Sequence, residues 1–507
     1  MNWLNALVII LYLCAMLLFG IWGRKKTADA SDYLVAGRRL GGLMYTGTMS
    51  AVVLGGAAAV GGVGLGYTYG LSGAWLVTAI GLGVLLLSAI FAPIIQRLKI
   101  YTVTQMLTLR YGTESTQAAS IIMLAYTLML AATSTGAYAS IFVVLFGWER
   151  WVSVLVGGSV VLIYAVVGGM WSITLADMAQ FLLMTLGTFG LMLPIALHRA
   201  GGWGGLHARL DAEFFSFTGI GAQSIITYFV VYTLGLLIGQ DIWQRVFTAR
   251  TPGVARWGGT ASGLYCIVFG VVGAIIGMAT RVVIPGIESK DDVFARVASD
   301  LLPVGLGGVA LAAGVAAMMS TASGGLIAAA TVARADVLPL LQKMLRQRHP
   351  HRLSAYEAAS QADSAVSAAH NAEEDVHSHR GWVLGLGVVV LLLSLAVPDV
   401  VAALTIAYDI LVGGLFVAII GGLVWQRATG TAALWSMIVG SVGTLATMAV
   451  LEAQASERFA GIYANEPIYV GLVASAVVFV VVSLASAPTD PEVLRAWKER
   501  SHTPAAP

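Results

Sequence analysis

Thirteen times between residues 3 and 487 the sequence runs for roughly 20 residues with almost no charge, and this repetition limits the fold more than any motif does. A helix needs about 20 apolar residues to cross the hydrocarbon of a bilayer. The runs are 3–22, 42–69, 73–96, 117–146, 151–168, 174–197, 223–247, 257–281, 304–333, 381–397, 400–425, 431–451 and 466–487. Only 11% of residues are charged, where a soluble domain carries roughly 25%. The chain is therefore read as an all-α polytopic membrane protein of about 13 transmembrane helices, with membrane lipid as its solvent. A net charge of +2 gives no basis for a nucleic-acid partner.

Lys and Arg fix the orientation. With the N-terminus outside, twenty-one of these cations fall in inside segments and seven in outside ones, together the 28 of the chain. An odd number of spans then places the C-terminus in the cytoplasm. The first run is followed by Arg24, Lys25 and Lys26 and has no small-residue cleavage site, so it reads as an uncleaved span. Cys14 and Cys266 both lie in apolar runs and read as inert thiols. Residues 335–380 form a long inside loop with five histidines and no recurring ligand spacing, and 282–303 an outside loop with a short helix across 291–301.

Glycine clusters in two runs that stand five spans apart. The second holds Gly47, Gly55, Gly56, Gly61, Gly62, Gly64 and Gly66; the seventh holds Gly235 and Gly239. Glycine-interrupted helices at corresponding places in two halves point to an inverted-repeat transporter. Close helix packing through small residues is the plainer account of the same glycines.

Three acids lie in or beside the spans, where one at the centre costs about 2.5–3.5 kcal/mol. Asp177 opens the sixth run. Asp241 lies near the inside end of the seventh, four residues before Arg245, a spacing that allows a local pair. Asp409 lies well inside the eleventh with no basic partner in its own run, which makes it the leading candidate for a cation or substrate contact. No Lys or Arg is read at mid-span, and the solute is accordingly expected to be neutral and polar or cationic. In the ninth run, Ala317, Ser320 and Thr321 share one helix face. One carbonyl and two hydroxyls aimed at one point suit a small hard cation such as Na⁺; back-bonding to the preceding turn is the alternative.

Six segments together resemble the sodium:solute symporter family: DYLVAGRRLG at 32–41, YTVTQMLTLRYG at 101–112, YAVVGGMWSITLADMAQ at 164–180, GQDIWQRVFTAR at 239–250, AAMMSTASGGLIAAA at 316–330 and WQRATGTAALWSMIVG at 425–440. Leu175 and Ala176 stand where Trp-Thr is usual. The resemblance implies a secondary transporter with a LeuT-like core of two inverted five-helix repeats, whose first and sixth core helices are broken. The core would span 42–425, with repeats 42–197 and 223–425. One span with its inside loop (1–41) precedes it; two spans (426–487) and a cytoplasmic tail (488–507) follow.

By position the resemblance assigns Na⁺ to the carbonyls of Val53, Gly56 and Ala317 and the hydroxyls of Ser320 and Thr321, with Asp177 on the ion's exit path. The solute is expected at mid-membrane, with Gly56, Tyr67, Tyr232, Thr233, Gly235, Gln240, Thr405 and Asp409 as contacts. The implied function is Na⁺-coupled uptake of a small polar organic solute by a monomer, with no organic cofactor. Some members carry an Asp in the broken first core helix; here that neighbourhood is Leu54-Gly55-Gly56. A proton-coupled transporter, or an uncoupled transporter or channel on the same scaffold, is the competing reading. An intramembrane enzyme is set aside because all eight histidines lie in loops or at span ends.

Overall fold

The computed structural model describes residues 3–112, 114–342, 368–396, 400–456, 459–462 and 464–502. Helices carry the architecture, and the one β-bridge among the described residues joins Leu40 to Ala249. Among the described residues, ten helices are long and apolar enough to cross a membrane, eleven when the bent pair Ala222–Ile238 and Gln240–Thr248 is taken as one. In hydrocarbon every backbone polar group must be satisfied within its own segment, and helices achieve this.

The two longest of these stretches are broken along their length. Arg150–Arg199 is 50 residues, about 75 Å if straight, against a hydrocarbon thickness of about 30 Å. It turns at Gly169, whose φ of 54° and ψ of −142° leave the helical region. A Cβ there would lie 2.6 Å from Tyr33, so only glycine fits on both counts. Ala58–Arg97 is 40 residues and is interrupted by the 3₁₀ turn Gly70–Ala74.

The Leu306–Val332 helix forms the axis of the molecule and is buried along nearly its whole length. Ala and Gly dominate its surface, which lets neighbouring backbones come close. Against it pack Glu114–Phe146, Arg150–Thr185 and Trp3–Arg24. Elsewhere Gly277 meets the backbone of Val63 and Tyr67 so closely that a Cβ would sit 2.2 Å from the Val63 carbonyl. Gly430–Gln454 and Glu466–Ala485 pack on each other and on Val400–Val424 at the periphery.

Two helices stop inside the bundle and restart in a new direction. Gly42–Val53 ends at Leu54, and Gly56–Tyr69 begins from an extended Gly55. Ala222–Ile238 ends at an extended Gly239, and Gln240–Thr248 continues at 46°. Each break leaves backbone carbonyls at one helix end and N–H groups at the next without helical partners.

The inside loop departs from expectation, while the outside loop keeps its short helix. The helix expected to begin at residue 381 begins at Ala368, so the inside loop is shorter than 335–380 at both ends, the preceding helical stretch running to Gln342. His349 and His351 lie outside the described residues, whereas His379 is buried, stacks on Tyr33 at 6.0 Å and bonds to Arg334. The outside loop carries helical turns over Lys290–Asp292 and Val293–Leu301. In the tail, Pro491–His502 is helical, packs on Ala92–Arg97 and Val103–Tyr111, and buries Trp497.

Candidate functional site

The break at Leu54–Gly55 faces the middle of the Leu306–Val332 helix. A Cβ on Gly55 would lie 2.6 Å from Thr321 Oγ1, so the absence of a side chain is what lets the two chains meet. Thr321 Oγ1 donates to the Val52 carbonyl at 2.9 Å and reaches the Ala317 carbonyl at 3.3 Å. Val52 and Val53 are the last residues of their helix, where carbonyls lack intrahelical partners and the helix dipole is negative.

One residue earlier, Ser320 Oγ donates to Asp177 Oδ1 at 2.6 Å. Asp177 Oδ2 accepts from Thr48 and from Arg245 Nη2, the latter at 3.1 Å. Asp177 and Arg245 are both wholly buried. Ser320 and Thr321 each send their proton to a neighbouring oxygen, which leaves hydroxyl lone pairs on the other side of each oxygen. Such an all-oxygen set is the chemistry a small hard cation prefers.

A cavity of about 780 Å³ reaches this cradle. Val53, Gly55, Gly56, Met318 and Thr321 form one part of its wall, Tyr232, Thr405, Tyr408 and Asp409 another. It continues past Arg150, Lys290 and Asn465, which lie at helix starts or in loops at one face of the bundle. At the opposite face the polypeptide is closed. Gln240 Oε1 accepts from the Val103 N–H at 2.7 Å and its Nε2 donates to the Tyr101 carbonyl at 2.9 Å. Asp336 accepts from Thr102 at 3.2 Å and from Thr104. Arg38 Nη2 donates to the Ile100 carbonyl at 2.8 Å. A second hollow, about 520 Å³ between Tyr111, Thr429 and Trp497, shares no residue with the cradle.

The structure thus brings Val53, Gly56, Ala317, Ser320, Thr321 and Asp177 into one region, and places Gly56, Tyr232, Thr405 and Asp409 on the cavity wall. Four other expected substrate contacts are placed elsewhere. The Tyr67 hydroxyl donates to the Ile284 carbonyl and accepts from the Ile287 N–H, both at 3.0 Å, tying down the outside loop. Thr233 Oγ1 donates to the Ala79 carbonyl at 2.7 Å. Gly235 lies behind the Tyr408 ring, 2.6 Å from where its Cβ would be. Gln240 holds the inside loop, as above.

Arg245 overturns two readings. It is a fully buried base within the bundle, where none was expected, and its carboxylate partner is Asp177 rather than Asp241. Asp241 Oδ1 accepts instead from the Tyr126 hydroxyl at 3.1 Å. Both acids are buried, so helix packing decides the pairing: it sets Asp177 against the guanidinium and gives Asp241 the Tyr126 hydroxyl. Thr48, Tyr126 and Asp336 carried no sequence signal beyond being polar in or beside an apolar run, and Thr102 and Thr104 were marked only as part of the 101–112 segment.

Known proteins resemble this chain in sequence and in fold. The model of the sodium:solute symporter family matches residues 33–356. The sodium/proline symporter of Staphylococcus aureus is 25% identical over 369 residues, covering 67% of this chain and 69% of that protein. Among solved structures, a Na⁺-coupled sialic acid symporter in a substrate-bound outward-open state aligns over 96% of this chain and 98% of its own, with a TM-score of 0.79 and 18% identity. The nucleobase-cation-symport-1 family transporter Mhp1 aligns over 94% and 98%, with a TM-score of 0.53 and 14% identity. Likeness at these identities establishes the fold, which is that of the LeuT-type transporters.

Proposed function

The chain belongs to the sodium:solute symporter family, and from that premise we propose that it takes up a small polar organic solute with Na⁺ by alternating access. It is an integral membrane protein of a sodium-coupled symporter family. In our reading thirteen spans thread it through the plasma membrane as a monomer, N-terminus outside and C-terminus inside, and 42–197 and 223–425 are the two repeats. The coupling ion is held by the carbonyls of Val53, Gly56 and Ala317 with the hydroxyls of Ser320 and Thr321. Asp177 guides its exit.

One observation carries this reading: Val53, Gly56 and Thr321 belong both to the oxygen cradle and to the wall of the 780 Å³ cavity. An ion in the cradle draws the Gly56–Tyr69 start toward the Leu306–Val332 helix and so shapes the solute's own wall. Whatever free energy Na⁺ adds to solute binding, the solute adds to Na⁺ binding. The cavity leads to the face that the charge bias assigns to the outside, and the Asp336 and Gln240 contacts close the inside, so the described state is outward-facing in this reading. Low Na⁺ within the cell then empties the cradle and releases the solute.

The test is uptake into proteoliposomes under an imposed Na⁺ gradient, a proton gradient, or neither. Accumulation above the outside concentration with Na⁺ alone is the expected result. Accumulation driven by protons alone would give the coupling role to Asp409, and flux that only equilibrates the solute would make the protein an uncoupled pathway.

A further inference from the structure

We propose that the transported solute bears a positively charged amine or guanidine, and that this group docks on Asp409 beside the rings of Tyr232 and Tyr408. The inference rests on the symport reading above and names its substrate class.

Asp409 sits nine residues into the Val400–Val424 helix, about 14 Å from its start. It lines the cavity, is 1% exposed, and its Oδ1 has no hydrogen-bond partner among the described residues. A carboxylate oxygen removed from water without a partner is costly, and a cation brought to it offsets that cost. The protein supplies no such cation nearby in its described part. Arg245 is committed to Asp177, and the two bases on the cavity wall, Arg150 and Lys290, belong to a helix start and a loop at the cavity's outer end.

The surroundings carry the same preference. The Tyr232 and Tyr408 rings meet edge to face with centroids 5.5 Å apart, and Tyr126 meets Tyr408 in the same way at 5.5 Å. Aromatic faces attract ammonium and guanidinium groups, most strongly where water is excluded. A second carboxylate, Asp241, lines the same cavity. Gly235 gives Tyr408 its place, because any Cβ there would collide with the ring. Two acids and a cluster of tyrosines select for positive charge, whether the remainder of the solute is neutral or carries a carboxylate of its own.

The test uses the purified full-length protein in lipid nanodiscs and matched solutes that differ in the charged nitrogen: choline against 3,3-dimethylbutan-1-ol, proline against cyclopentanecarboxylate, putrescine and agmatine against 1,4-butanediol. Thermal stabilisation is read at up to about 10 mM, with and without Na⁺. The expected result is stabilisation by at least one nitrogen-bearing member and by none of the nitrogen-free ones. Asp409→Asn then weakens that binding by roughly ten-fold or more, while Asp409→Glu restores part of it and the shift caused by Na⁺ alone is retained in both. If Asp409→Asn does not fold, Tyr232→Leu replaces it, with the same expected direction. Stabilisation by a nitrogen-free member, amine binding indifferent to Asp409→Asn, or no stabilisation by any cationic member overturns the proposal. Amine binding that ignores Na⁺ upholds it and fails the symport reading; Na⁺-dependent binding of a nitrogen-free solute does the reverse.

Discussion

Arg245 Nη2 lies 3.1 Å from Asp177 Oδ2, and neither side chain has any exposure to solvent. The pair is the knot of four helices. Thr48 comes from the first half of the first broken span, Arg245 from the second half of the other, Asp177 from Arg150–Thr185 and Ser320 from Leu306–Val332. A carboxylate that accepts three donors ties both breaks to the helix that carries the candidate ion ligands, so a shift at one is felt at the others.

Removing one partner of this pair leaves a buried charge uncompensated, which costs about 3–5 kcal/mol. Arg245→Leu alone and Asp177→Leu alone are each expected to lower the midpoint of thermal unfolding sharply in detergent. The double variant removes both charges and is expected to recover much of the loss, giving a large coupling energy in the cycle. Additive losses would mean that the two groups do not interact.

Ser320→Ala with Thr321→Ala removes two of the five proposed Na⁺ oxygens. The concentration of Na⁺ giving half-maximal uptake is expected to rise at least ten-fold, with surface expression near wild type. Gly55→Ala is expected to act in the same direction through Thr321, whose Oγ1 would lie 2.6 Å from the new Cβ. Unchanged Na⁺ activation in the double variant would sink the assignment.

In the proposed outward-facing state the inside closure rests on Asp336, which Thr102 and Thr104 both contact. Each hydrogen bond to a charged group contributes about 1.5–3 kcal/mol. Asp336→Asn is therefore expected to raise the population open to the cytoplasm by ten-fold or more. A cysteine at Val103, in a Cys14→Ser background because Cys14 is exposed while Cys266 is buried, would be labelled from the inside correspondingly faster. Equal labelling rates with and without Asp336 would remove it from the closure.

Gly277→Ala places a methyl 2.2 Å from the Val63 carbonyl and 2.4 Å from the Tyr67 N–H. Both are backbone and cannot rotate away, so the two helices must part. A loss of about 1–3 kcal/mol is expected. Gly204→Ala, which meets nothing within 4 Å, is the control and is expected to unfold like wild type.

Residue identity and spacing were sufficient for the helical, membrane-spanning class, because hydrocarbon leaves few alternatives for a chain with so many uncharged runs. They also marked the Ala317, Ser320 and Thr321 face, since helix geometry sets which residues share a side. The glycines of the second and seventh runs lie where the chain leaves its helices, at Gly55 and Gly239. Tertiary structure decided the partners. Arg245 passed over the acid four residues before it for one 68 positions away, although both acids are buried, because the packing of four helices brings Asp177 to the guanidinium and Tyr126 to Asp241. Tyr67, Thr233 and Gln240 are polar groups in or beside apolar runs, as ligands would be, yet each spends its hydrogen bonds on backbone groups of a neighbouring segment. Whether a buried polar group meets its own protein or a cavity depends on which helices pack beside it, and that pairing is non-local information which no window of sequence contains.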